Sequence, residues 1–408
     1  MLGKHHAFDQ ALASHKGFQR LSPRDRAFAR LLVATVLRRL GEIDARIDAH
    51  LDRPLPKSAA RVRLALRLGT AQLVFLETPP HAAVDTSVQL MSGPLRGFRG
   101  LVNAVLRKTA DSAANTAVDA AVNTPDWLWQ SWVEAYGAES AEAIAAAHLA
   151  EPPLDISVAR DAEDWRGRLE AELLPNGSLR RPIGGDPAKL PGFAEGAWWV
   201  QDAAAALPAR LLGAVEGQHV IDLCAAPGGK TAQLAAAGAR VTAVDRSENR
   251  LKRLAENLSR LWLSADVVAA DAAAWRPDEP AEAVLLDAPC TATGTIRRHP
   301  DIPYLKTARD VERLSQVQTR LLRAAVDMVK PGGRLVYAVC SLQPAEGPAP
   351  IAALIESGAP VDPEPVQPAE LPDLSDAIQP DGTVRTMPFH WSARGGMDGF
   401  YIARLRRR

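Results

Sequence analysis

Residues 220–234 read VIDLCAAPGGKTAQL: a short apolar run, a turn of Pro and two Gly, and the start of an amphipathic helix. Gly228 and Gly229 let the backbone approach a ligand, and a helix N-terminus favours negative charge. A phosphate loop needs Gly-x-x-x-x-Gly-Lys-Ser/Thr. Gly229-Lys230-Thr231 matches its end, but Cys224 stands at its leading glycine. The dinucleotide pattern Gly-x-Gly-x-x-Gly is missing. Two readings stay open: a tight turn with no ligand, and a site for S-adenosylmethionine, a nucleoside with a carboxylate and no phosphate. The second needs acids at the ends of later strands.

Such acids follow. Apolar runs at 219–223, 240–245, 266–270, 283–287 and 334–340 alternate with amphipathic helices near 229–237, 248–261 and 308–329. Alternation of this kind predicts βαβ units and a mostly parallel sheet covered on both faces. Asp245 ends the second run, where a carboxylate can accept both hydroxyls of a ribose. Asp271 follows the third and Asp287 ends the fourth. One such acid is an ordinary strand-end residue. Three on successive strands point to a ligand at the carboxyl edge of the sheet.

The fourth run continues into DAPCTATGTIRRHPD, residues 287–301, with Cys290 in a turn. The fifth ends RLVYAVCSL, with Cys340 at its carboxyl end. A lone cysteine is usually a small buried hydrophobe. Two at strand ends beside a ligand turn predict a nucleophilic thiolate. Residues 359–381 are Pro-rich loop, and TVRTMPFH with DGFYIARLRRR predicts a terminal antiparallel pair.

Upstream the pattern is different. Residues 1–125 read as a helical bundle. PRDRAFARLLVATVLRRL places Phe28, Leu31, Leu32, Val36 and Leu40 near one face, opened by Ser22-Pro23 and stopped by Gly41. Two further amphipathic helices carry Arg61, Arg63, Arg67, Arg96, Arg99, Arg107 and Lys108. Residues 126–204 are mixed, with a helix bearing Trp127, Trp129 and Trp132, expected to be core, and then short strands. Residues 205–408 form the third part. The formal net charge is zero. Residues 1–110 nevertheless hold 18 Lys and Arg against 8 Asp and Glu, which points that part at a polyanion. Three cysteines make no disulfide framework, and no C-x-x-C pair calls for a metal. No apolar run has the length of a signal peptide core or a membrane span, so a cytoplasmic protein is expected.

DLCAAPGGKT, DAPCTATG with IRRHPD, and AVCSLQPAEG together resemble the RNA 5-methylcytosine methyltransferases. With DRAFAR and LVNAVLR near the N-terminus, the chain is similar to their bacterial RsmB/Sun group over essentially its whole length. That group modifies a cytosine of small-subunit (16S) ribosomal RNA. The resemblance implies a Rossmann-like class I methyltransferase domain, preceded by an all-α NusB-like RNA-binding domain and a small mixed linker domain. It implies a cofactor loop of Cys224, Ala225, Ala226, Pro227, Gly228, Gly229 and Lys230, with Asp245, Arg250, Asp271 and Asp287 also at the cofactor. It implies Cys340 as nucleophile, Cys290 as the cysteine that releases the product, and Asp287 and Lys230 at the reacting base. The partner would be RNA, single-stranded or looped, bound by a monomer without metal. Arg297, Arg298 and His299 follow the catalytic turn and are expected to contact phosphates beside the target. The chain departs from the family pattern at three places. Val339 precedes the nucleophile where Thr is usual, Thr291 follows Cys290 where Ser is usual, and only Glu346 remains of an acidic run.

Overall fold

The computed structural model describes residues 6–112, 119–182 and 184–408. They form two compact units. One holds the described residues up to 149 together with 299–305, and the other holds 150–298 with 306–408.

The first unit is helical, built on α1 (Pro23–Arg38), α2 (Leu40–Asp48), α3 (Ala60–Val74), α4 (Pro80–Gln89), α5 (Arg99–Ser112) and α6 (Asp126–His148). Ser22 caps α1 as expected, its Oγ accepting from Asp25 N, with Pro23 in the first turn. Val36, Ile43, Ile47, Val62, Leu66, Val102 and Leu106 make its core, and Tyr304 from the short distant segment packs against them. Two expectations fail here. Phe28 is left exposed rather than joining the apolar face. Gly41 does not stop a helix, because α1 ends at Arg38 and Gly41 lies inside α2. A Cβ on Gly41 would sit 1.9 Å from Val122 O, so the glycine serves close backbone approach. The tryptophan helix and the Ala-rich stretch are one element, α6, kinked where Gly137 takes φ +80°. Trp132 is fully buried, as expected of a core residue. Because α6 belongs to the helical unit, the unit extends past residue 125.

The second unit holds two sheets. The smaller is antiparallel, in the order β2 (Glu172–Leu173), β3 (Leu179–Arg181), β1 (Leu154–Val158), β4 (Trp198–Val200). The larger has eight strands: β5 (His219–Leu223), β6 (Arg240–Asp245), β7 (Asp266–Ala269), β8 (Ala281–Asp287), β9 (Val329–Val339), β10 (Val361–Pro363), β11 (Val384–Thr386) and β12 (Phe400–Arg407). Their order is β10-β12-β9-β8-β5-β6-β7, with β11 on β12. The five from β7 to β9 are parallel, and β12 runs antiparallel to β9 and β11. Helices α7 (Gly229–Ala236), α8 (Glu248–Arg260), α9 (Ala308–Asp327) and α10 (Pro348–Glu356) alternate with these strands.

Alternate residues of each central strand bury on opposite faces, as a doubly covered sheet requires. Ile221, Leu223, Val284 and Leu286 pack with Leu321, Leu322 and Ala325 of α9. Val220, Leu285 and Val336 pack on the other side with Leu207, Leu211 and Leu212. The chain runs outward from β5 through β6 to β7, then restarts at β8 and runs to β9 on the other side. Strand order therefore reverses between β5 and β8, and ligands of open α/β sheets bind at the carboxyl ends of such a pair. Among the described residues, no helix is long and apolar enough to cross a membrane.

Candidate functional site

The turn after β5 lies at that reversal. Cys224 is held in the left-handed region at φ +61°, and Gly228 at +101° leads into α7. The first bond of α7 runs from Ala232 N to Gly228 O, so the amides before Ala232 are unused within the helix and can meet an anion. Asp222, wholly buried on β5, accepts from Thr231 Oγ1 at 2.6 Å, and its Oδ1 has no partner. Burial pushes its pKa up to about 7. Asp245 accepts from Ala226 N at 3.2 Å and from Ser247 N at 2.9 Å. Arg250 lies 3.3 Å from the same carboxylate and also donates to Ala226 O. A carboxylate has about four lone-pair sites, so Asp245 keeps acceptor capacity for hydroxyls. Asp271 is exposed and accepts from Ala273 N at 3.0 Å, capping the turn after β7. Free amides beside these carboxylates suit a ligand with a carboxylate at one end and hydroxyls and amines elsewhere, which is what S-adenosylmethionine presents.

Lys230 and Asp287 bridge the turn to β8, with Nζ 2.7 Å from Oδ2. Burial works against the Lys230 ammonium, but Asp287 and the Cys340 sulfur more than offset it, and its pKa is raised. Beyond Asp287 the two remaining cysteines meet: Cys290 Sγ and Cys340 Sγ are 3.4 Å apart, both as free thiols. The hydrogen bond to Cys340 and burial push the Cys290 thiol well above its usual value. Burial likewise pushes Cys224 up to about 12, which leaves it a poor source of thiolate.

The loops carrying the two cysteines are braced by residues that sequence reading passed over. Gly294 N donates to Cys340 O at 3.0 Å, and Arg385 donates to Ser341 O at 2.6 Å. Glu346 is fully buried between the loops. It and Thr291, noticed in the sequence only as departures from a family pattern, are bonded to each other.

The three residues expected at RNA phosphates do not form one patch. Arg297 is buried, 3.2 Å from Asp202 and 3.2 Å from Asp398, and donates to Gly395 O. It is therefore a structural ion pair rather than a phosphate contact. Arg298 also pairs with Asp398 but keeps about a third of its side chain exposed at 34%. Burial raises Asp398 to about 6 despite both arginines. For Asp202, Arg298 and Arg297 outweigh burial and hold its pKa low. His299 begins the segment that belongs to the helical unit. No local signal announces Asp202 and Asp398, which lie about a hundred residues either side of Arg297.

Residues 209–406 match the family model of the 16S rRNA methyltransferase RsmB/F, and residues 2–111 match the NusB family. The ribosomal RNA small subunit methyltransferase B of Vibrio cholerae is 35% identical over 98% of this chain and 93% of its own. That of Salmonella typhi is 36% identical over 95% of this chain and 92% of its own. Among solved structures, PH0851 aligns with a TM-score of 0.76 at 24% identity, covering 98% of this chain and 93% of that one. A methyltransferase homologue from Pyrococcus horikoshii aligns at 0.57 and 26% identity, covering 69% and 94%.

Proposed function

The chain belongs to the RsmB/F family of 16S ribosomal RNA methyltransferases, and we propose that it methylates carbon 5 of a cytosine in that RNA through a covalent bond to Cys340. S-adenosylmethionine is the methyl donor of this family. The observation that carries the cytosine reading is the pair of thiols 3.4 Å apart beside the Lys230–Asp287 bridge, at the sheet edge where the cofactor loop turns.

Carbon 5 of cytosine is a poor nucleophile. Addition of the Cys340 thiolate to carbon 6 turns the ring into an enamine and places electron density on carbon 5. Cys224–Lys230, with Asp245, Arg250, Asp271 and Asp287, would hold the cofactor, whose chemistry there would be to supply an electrophilic methyl group to carbon 5. Asp287 hydrogen-bonds the exocyclic amine, and Lys230 steadies the charge that develops on the ring. Cys290 assists the elimination that removes the carbon 5 proton and breaks the carbon 6–sulfur bond, which frees Cys340. The base must leave its stack to present its face to a thiol, which favours single-stranded or looped RNA. The basic N-terminal residues hold that RNA by its phosphates, and Arg298, with its exposed edge, acts beside the target. The protein acts as a cytoplasmic monomer, in the compartment that keeps its thiols reduced.

In Cys340→Ala, methyl transfer from labelled cofactor is expected to vanish while cofactor binding by calorimetry persists; turnover near wild type would refute the assignment. Cys290→Ala is expected to accumulate a protein–RNA adduct on denaturing gels, and free product at the normal rate would count against it. Bisulfite sequencing of ribosomal and transfer RNA from cells with and without the gene identifies the substrate.

A further inference from the structure

Glu346 lies 0% exposed between the loops that carry the two cysteines. Its Oε1 accepts from Thr291 N at 2.8 Å and from Gln318 Nε2 at 3.2 Å. Its Oε2 accepts from Ser341 Oγ at 2.5 Å and from the Thr291 hydroxyl. Thr293 Oγ1 accepts from Leu342 N at 3.0 Å and lies within hydrogen-bond distance of Ser341 Oγ, at 3.2 Å. Ser341 Oγ also accepts from Gln343 N at 3.0 Å. Gln318 donates in addition to Pro289 O at 2.9 Å, on the residue before Cys290. Two N–H groups and two hydroxyls thus converge on this side chain, two on each carboxylate oxygen. The backbone is pinned too: Tyr337 OH donates to Glu346 O at 2.6 Å.

Thr291 directly follows Cys290, and Ser341 directly follows Cys340. Both hydroxyls end on the same carboxylate oxygen. We propose that Glu346 is a positioning residue: its carboxylate clamps the residue after each cysteine and so sets the separation of the two sulfurs. Its consequence for catalysis rests on the cysteine roles given above. The clamp can be measured without them.

The measurement is the rate at which glutathione disulfide closes a Cys290–Cys340 bond. One thiolate displaces a glutathione to form a mixed disulfide, and the other cysteine displaces the second glutathione. Two protein thiols are oxidised and one glutathione disulfide is reduced. Mass spectrometry follows the product in the full-length protein. In Glu346→Gln the carboxylate is lost and the Thr291 and Ser341 hydroxyls must turn to accept from the amide, which weakens the clamp, and the bond is expected to close at least about tenfold more slowly. Cofactor affinity by calorimetry should stay within about twofold, because the turn after β5 makes none of these bonds. Thr291→Val should also slow closure, and Thr291→Ser, which keeps the hydroxyl, should match wild type. This pair decides the matter if Glu346→Gln no longer binds cofactor. Closure at the wild-type rate in Glu346→Gln and Thr291→Val, or no closure in wild type, overturns the proposal. Slow closure with unchanged methyl transfer upholds the clamp and overturns the cysteine roles.

Discussion

Cys224, Cys290 and Cys340 are the same residue type in two different situations, and what separates the first from the other two is its surroundings. Cys224 is desolvated by burial, with Asp287, Asp245 and Asp222 nearby, and stays a thiol, with its pKa at about 12. Cys290 and Cys340 face each other. Asp222 shows how strongly such surroundings act. Its folded pKa of about 7 exceeds the usual carboxylate value, so the unfolded chain releases this proton at lower pH than the native one. Between about pH 4 and 7 the folded state therefore loses stability, relative to a variant without the group, and above that window the loss is constant. The stability of wild type minus that of Asp222→Asn, measured by urea unfolding, is expected to fall across this window by a few kcal/mol, on the order of 1.4 per pKa unit. A flat difference would mean that Asp222 is ionised throughout. Sequence reading located the paired cysteines and the strand-end acids because each lies at, or within a few residues of, the end of its strand. It misplaced Arg297, since Arg-Arg-His looks like a basic surface cluster and the neutralising Asp202 and Asp398 come from remote parts of the chain.

At the scale of elements, the alternation of apolar runs and amphipathic helices was legible because each strand is buried on both faces and each helix on one. The terminal antiparallel pair was legible too, as β11 and β12. What stayed hidden was close approach between backbones. Gly41 looked like a helix end because glycine ends many helices, and its actual neighbour, Val122, is far away in sequence. Gly294 is the counterpart in the site. Gly399 N donates to Gly294 O at 2.8 Å, and a Cβ on Gly294 would lie 1.9 Å from Gly399 O. The turn after β8 and the start of β12 thus touch backbone to backbone. Gly294→Ala is expected to cost about 3 kcal/mol in chemical denaturation, because neither backbone can yield without moving a strand. A loss below about 0.5 kcal/mol would show that the contact is not tight.

For the molecule as a whole, zero net charge conceals a basic N-terminal part on an acidic remainder. Some of that basic charge is spent internally. Arg63 and Arg67 pair with Asp44 and Asp48, and Arg46 pairs with Glu42, whereas Arg24, Arg26, Arg61, Arg96 and Arg99 are exposed. If about five phosphates are engaged, affinity for a single-stranded ribosomal RNA fragment should fall roughly a hundredfold between about 50 and 200 mM salt. An affinity indifferent to salt would exclude the basic residues as its source.

Residues 299–305 bear on how the chain is made. Asp301 accepts from Phe8 N at 2.6 Å, Tyr304 OH donates to Leu37 O at 3.1 Å, and the Tyr304 ring packs on the helical core. A ribosome that has released the first 149 residues has therefore not released everything the helical unit contains. That unit must wait, unfinished, until more than 150 further residues have emerged. Neither unit can be shed by cutting the chain once, so an N-terminal fragment should be less stable than the same helices within the whole protein.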